Sequence, residues 1–122
     1  MVPPIHLVCA NNPAVAELLG SGSVLRLYPF GGARQKDTYP YAVWQVVSGQ
    51  PENYLADRAN MDAITTQVDV YAKTWHSARE VAAALRAAIE TKAYIVNFHG
   101  ESRDPVTNSY RVSFDVDWLT AR

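Results

Sequence analysis

Residues Tyr110 to Trp118 constrain the fold more than any other stretch of this chain. Tyr110, Val112, Phe114, Val116 and Trp118 alternate with Arg111, Ser113, Asp115 and Asp117. Successive side chains of a strand point to opposite faces, so this segment reads as a strand with one dry face and one charged face. Terminal segments usually fray unless something ties them down. An aromatic and aliphatic surface carried almost to the last residue therefore places this strand in the core sheet.

The rest of the chain supplies elements to pack against it. Asn12 to Gly20 reads as a short helix, with Asn12 able to cap, Pro13 suited to the first helical position and Gly20 able to stop it. Val24 to Tyr28 reads as a first strand. Pro29 to Pro40 has two glycines, two prolines and no periodicity, which makes it a loop. Tyr41 to Ser48 is a second strand, closed by Gly49, and Gln50 to Asn60 is a polar stretch without period. In the third strand, Ile64 to Lys73, the residues Ile64, Thr66, Val68, Val70 and Ala72 share one face. Ser77-Ala78-Arg79-Glu80 has the pattern of a capping box, and a helix with the stripe Ala78, Val81, Ala82, Leu85 and Ile89 follows to about Glu90. Tyr94 to His99 is a fourth strand, and Asp104 to Asn108 a turn.

Consecutive strands joined by loops or tight turns favour antiparallel pairing, and amphipathic helices cover one face of such a sheet. The expected class is α+β: a mainly antiparallel sheet of about five strands with two helices packed on one face. The 122 residues suit a single domain spanning residues 1–122, and 48% hydrophobic with 19% charged residues is the composition of a folded protein. Eleven basic and twelve acidic side chains nearly cancel, so no global field draws the chain to nucleic acid or to an anionic membrane. Cys9 is the only cysteine, which rules out an internal disulfide and suits a reducing compartment. The start, Met1 to His6, lacks the pattern of a secretion signal, and no apolar run reaches the length of a bilayer span. The expectation is a soluble protein of a cytoplasm with no membrane partner.

Chemistry-bearing motifs are few. His6 and Cys9 have a spacing found in metal sites, but His76 and His99 fall on separate elements, and the plainer reading is surface histidines and a half-buried thiol. Asp115 and Asp117 share a strand face that could hold a cation. The alternative is solvation, or pairing with Arg111 or Lys73. Gly31-Gly32 lacks the Gly-Lys-Ser/Thr of a phosphate loop, and no Gly-x-Ser-x-Gly elbow occurs. No enzyme class, catalytic residue or cofactor is indicated. Arg34 and Lys36, beside Phe30, Tyr39 and Tyr41, form a basic and aromatic loop that could contact a single strand of nucleic acid. Two cations would leave only a weak phosphate footprint.

Two segments resemble the tail-completion (tail-terminator, or tail-to-head joining) proteins of long-tailed bacteriophages. One runs from Tyr39-Pro40-Tyr41-Ala42-Val43-Trp44-Gln45-Val46-Val47-Ser48-Gly49-Gln50-Pro51 to Thr66-Gln67-Val68-Asp69-Val70-Tyr71-Ala72-Lys73-Thr74 and the Ala-rich helix. The other is Asp104 to Trp118. The order of elements is also similar. The resemblance implies a non-enzymatic virion protein at the head-proximal end of the tail, assembled in the host cytoplasm. It would form a ring with itself, typically of about six subunits. Its implied partners are the tail tube protein and a head-completion or neck protein, with DNA only as cargo passing through the channel. The two loops are the expected contact segments, because a rigid sheet can position them. They carry Phe30, Arg34, Lys36 and Tyr39 on the first, and Glu52, Tyr54, Asp57 and Arg58 on the second. A head–neck connector of the same virion, or a small nucleic-acid-binding module, are the competing readings.

Overall fold

A computed structural model describes residues 3–20, 25–30, 39–52, 61–105 and 108–121. The elements in chain order are α1 (Ile5–Ala10), α2 (Pro13–Leu19), β1 (Leu27–Pro29), β2 (Tyr41–Glu52), β3 (Met61–Ala72), α3 (Trp75–Ile89), β4 (Tyr94–Asp104) and β5 (Ser109–Ala121). The five strands form one sheet in the order β1-β2-β3-β5-β4. The α+β class with a mainly antiparallel sheet is what the sequence patterns implied.

The alternating strands sit at the centre, as their two-faced patterns require. Val68 is opposite Phe114, Val70 opposite Val112, Thr66 opposite Val116 and Ile64 opposite Trp118. All eight are buried. A one-residue slip would turn this set to the other face, so the burial of one face fixes the register. Thr66 is the single polar member of the row, and the Trp118 indole Nε1–H donates to its hydroxyl at 3.1 Å, which satisfies both buried groups. α3 lies across β3 and β5, burying Ala78, Val81, Ala82, Leu85, Ala88 and Ile89. Ile5 and Cys9 of α1 and Val15 and Leu19 of α2 complete the same core.

The structure corrects several sequence expectations. Among the described residues three helices, not two, form the layer. α1 has no side-chain cap at Pro4 and only six residues, so nothing local announces it, and its apolar side packs against α3 and α2. β1 pairs with β2 in parallel, Leu27 opposite Ala42, not antiparallel. Roughly a dozen residues connect the two strands, which is enough for a crossover. β1 begins at Leu27, and Val24 lies outside the described residues. α3 starts one turn earlier than the capping-box pattern implied: Thr74 is its cap, accepting the Ser77 N–H at 3.1 Å, and Ser77 is already inside the helix.

Gly49 does not end β2. The strand continues to Glu52, opposite Met61, with a bulge between Val46 and Ser48. Gln50 to Glu52 of the expected second loop thus belong to the strand, and residues 53–60 lie outside the described residues. Among the described residues β1 covers β2 no further than Trp44, so Pro51 meets no ladder partner on that side, which suits a proline in a strand. β4 runs on past His99 to Asp104, with bulges near Val96 and His99. The connection to β5 turns at Asn108, whose φ of 59° is left-handed and whose N–H donates to the Asp104 carbonyl at 2.7 Å. Cys9 is fully buried rather than half-buried.

Candidate assembly surface

The face of the sheet away from the helices carries the polar halves of the strands. Its central groups are bonded to one another. Arg111 Nη2 donates to Asp69 Oδ1 at 3.0 Å, and Gln67 Nε2 donates to the same carboxylate at 3.2 Å. The Thr65 hydroxyl donates to Asp117 Oδ1 at 2.6 Å, and His99 Nε2 lies 2.9 Å from Asp115 Oδ2. Arg111 thus pairs with Asp69 on β3, whereas the strand pattern had pointed to Asp115 or Asp117. The reason is register: Tyr71 is directly opposite Arg111, and Asp69 is one diagonal step along the same face. Each aspartate of the β5 row is engaged by a neighbouring strand, so the row is a cross-strand network. Arg111 Nε, Ser113 Oγ and Asp115 Oδ1 are buried without a hydrogen-bond partner among the described residues. They lie along one face of β5.

At one end of this face the tyrosines collect. Tyr41 stacks on Tyr71 with ring centroids 5.2 Å apart, Tyr39 packs on Tyr41 at 5.3 Å, and Tyr28 stands 6.4 Å from Tyr41. Lys73 Nζ sits 4.9 Å above the Tyr39 ring. Burial, with Asp69 nearby, pushes the Tyr71 phenol up from its ordinary range, and Arg111 offsets part of the rise. These rings already stack on each other, which leaves less ring surface for nucleobases.

On the helix side of the same end, a cavity of about 310 Å³ opens between the start of α3 and the β4–β5 hairpin. Trp75, Tyr110 and Val112 give it apolar walls, and Arg103 and Glu101 stand at its margin. The exposed Arg79 holds Glu101 through two hydrogen bonds, one of 2.8 Å, and lies over the Trp75 ring at 5.0 Å. That hydrogen bonding holds the Glu101 carboxyl below its usual range.

The residues singled out from sequence are only partly brought together. Phe30, just beyond β1, is exposed. Tyr39 belongs to the tyrosine cluster, and Glu52 closes β2. Glu52 falls at the end of the sheet opposite the tyrosines, since β2 begins at Tyr41. Arg34, Lys36, Tyr54, Asp57 and Arg58 lie outside the described residues. His6 is exposed while Cys9, on the same short helix, is in the core, so the two do not face one ligand. Sequence reasoning missed Tyr28, Tyr71 and Trp75, and it missed the exposed Tyr94, Val96 and Phe98 on β4. The signal for the last three was the uncharged run Tyr94 to Phe98.

The described residues present a sheet with one polar face and with helices packed on the other. The family model of tail completion protein gp17 matches residues 3–121. The chain belongs to that tail-completion family and is a structural protein of a phage-type virion tail. The match reaches into the first thirty residues, which the sequence resemblance had not used. No curated protein matches the chain significantly. Among solved structures it is similar to a chain described as from the virion of a native gene transfer agent particle. The TM-score is 0.71 at 11% identity, over 97% of this chain and 92% of that one. At that identity the likeness is one of fold.

Proposed function

We propose that this protein caps the tail tube, ends its growth and forms, as a ring of about six copies, the surface on which the tail meets the head. The observation that carries this reading is the tail-completion family match across residues 3–121. The fold likeness to a chain of a virion particle supports it. So does the distribution of exposed groups: Phe30, Trp75, Tyr94 and Phe98 are large, exposed and spread around the domain rather than gathered in one pocket. A subunit that contacts neighbours and other layers needs such dispersed sites, because each interface is anchored by a few large side chains. The partners are further copies of the chain, the tail tube protein and a head-completion or neck protein. DNA passes through and is not read.

The test is a phage lacking this protein, complemented with the wild-type chain and viewed by electron microscopy. Without it, tails of abnormal length and filled, unjoined heads are expected, and complementation should restore joined particles. Antibody label should fall at the head-proximal end of free tails. Label on tail-free heads would favour the connector reading instead. Label at the receptor-binding tip would overturn both.

A further inference from the structure

Among the described residues, both borders of the sheet lack a partner strand over part of their length, and these parts match. β4 has β5 as its strand partner, with no strand on its outer side among the described residues. Its first half, Tyr94-Ile95-Val96-Asn97-Phe98, carries no charge, and Tyr94, Val96 and Phe98 are 71%, 51% and 56% exposed. At the opposite border, among the described residues, β1 covers β2 at Ala42, Val43 and Trp44. From Gln45 onward β2 pairs with β3 alone among the described residues, and Val46 and Val47 are about half exposed.

A border strand presents unpaired N–H and C=O groups that template a further strand, and monomers usually guard such edges with charge, proline or bulges. β4 carries its guards, Glu101, Arg103 and Asp104, in its second half. β2 carries Pro51 near its far end. β4 bulges at Val96, inside the uncharged stretch, and at His99, just past it, so a partner strand meets Tyr94 to Phe98 over a short, twisted length. Strand direction also fits. β1 and β2 run one way, β3 the other, β5 with β2, and β4 against β5. A copy turned about an axis along the strands keeps these directions and sets its β2 antiparallel to the β4 of its neighbour. Such a head-to-tail contact closes into a ring when the rotation divides the circle.

We propose that β4 of one copy adds to the free border of β2 in the next, with Val96 and Phe98 against Val46 and Val47. The sheet then runs through the subunit boundary. The partner is a second copy of this chain, and the inference rests on the ring proposed above.

The test compares amide hydrogen exchange in the free chain and in the chain assembled on purified tails, with electron microscopy of the same tails. Amides of Tyr94 to Phe98 and of Gln45 to Val47 should slow on assembly by on the order of tenfold or more. Phe98→Glu and Val47→Lys, at exposed positions, should each leave a folded monomer that fails to assemble, and mixing the two variants should restore rings through the opposed charges. Rings with unchanged exchange at β4 would overturn the edge pairing and leave the ring standing. Protection of β4 alone in a two-copy species would replace it with a symmetric β4–β4 dimer. Tails bearing no ring would overturn the ring and the pairing together.

Discussion

Phe114 and Asp115 are chain neighbours with opposite surroundings. Phe114 is fully buried beneath α3, whereas Asp115 faces away from the helices and meets His99. Phe114→Ala should cost roughly 3–5 kcal/mol, as the loss of a large core side chain does, and Trp118→Ala should cost a similar amount. Asp115→Asn keeps an acceptor for His99 and should stay within about 0.5 kcal/mol. Denaturant midpoints measure all three, and equal, small effects at Phe114 and Asp115 would reverse the assignment of the two faces. Cys9 offers a test of a different kind. Burial pushes its thiol up from 9.0 to about 12, so the folded chain keeps a proton that the unfolded chain releases. That contribution is complete below pH 9 and is lost as pH rises toward 12, at about 1.4 kcal/mol per pH unit once the unfolded thiol is ionised. The raised Tyr71 phenol acts in the same direction. Stability measured at about pH 8 and about pH 10.5 should fall less in Cys9→Ala than in the wild type, and an equal fall in both would clear the thiol of the effect.

At the scale of elements, one side chain fastens the helix layer to the sheet. Arg26 Nε donates to the Pro40 carbonyl at 2.8 Å and its Nη2 to the Leu18 carbonyl at 2.9 Å. Its backbone N–H bonds to Leu19, and its carbonyl accepts from Ala42. α2, β1 and the start of β2 therefore meet at one residue. Arg26→Met keeps the apolar stem and removes both guanidinium bonds, for an expected loss of about 1.5–3 kcal/mol. A lower denaturant midpoint at unchanged slope would show it, and an unmoved midpoint would make the clamp dispensable. This junction was illegible in the sequence because an arginine, read there as part of the strand Val24 to Tyr28, carries no mark of which carbonyls its side chain will reach. β3 and β5 were legible because alternation states both the element and its buried face. The stripe of α3 was legible too, but not its start: Thr74 lacks the glutamate three residues on that made Ser77 look like the cap. α1 and the parallel pairing of β1 depend on tertiary packing, and a six-residue helix or a three-residue strand has too little pattern to reveal it.

For the whole molecule, the core among the described residues is built mainly from the helices and strands, with Leu25 and Ala93 beside them, while Arg34, Lys36, Tyr54, Asp57 and Arg58 lie outside the described residues. The family could be read from ordered strand patterns, but the candidate contact residues could not be read in the same way, since polar stretches without period carry no mark of what they contact. The β4 border was overlooked because an uncharged run reads as a core strand until its place in the sheet is known. Near-neutral net charge suits a subunit whose partners are proteins, as DNA held by charge would need a basic field. These points separate folding from assembly. Changing Arg34 and Lys36 to Ser, or shortening residues 53–60 while keeping β2 to Glu52 and β3 from Met61 intact, should leave a cooperative monomer with its denaturant midpoint within about 0.5 kcal/mol of wild type. Assembly should suffer instead, if these stretches carry interface contacts as proposed. In a complementation assay, filled heads beside separate or over-long tails are expected, with few joined particles. Full infectivity of both variants would remove the two loops from the interface and leave the β4 border as the surface to pursue. An unfolded loop variant would place those residues in the core instead.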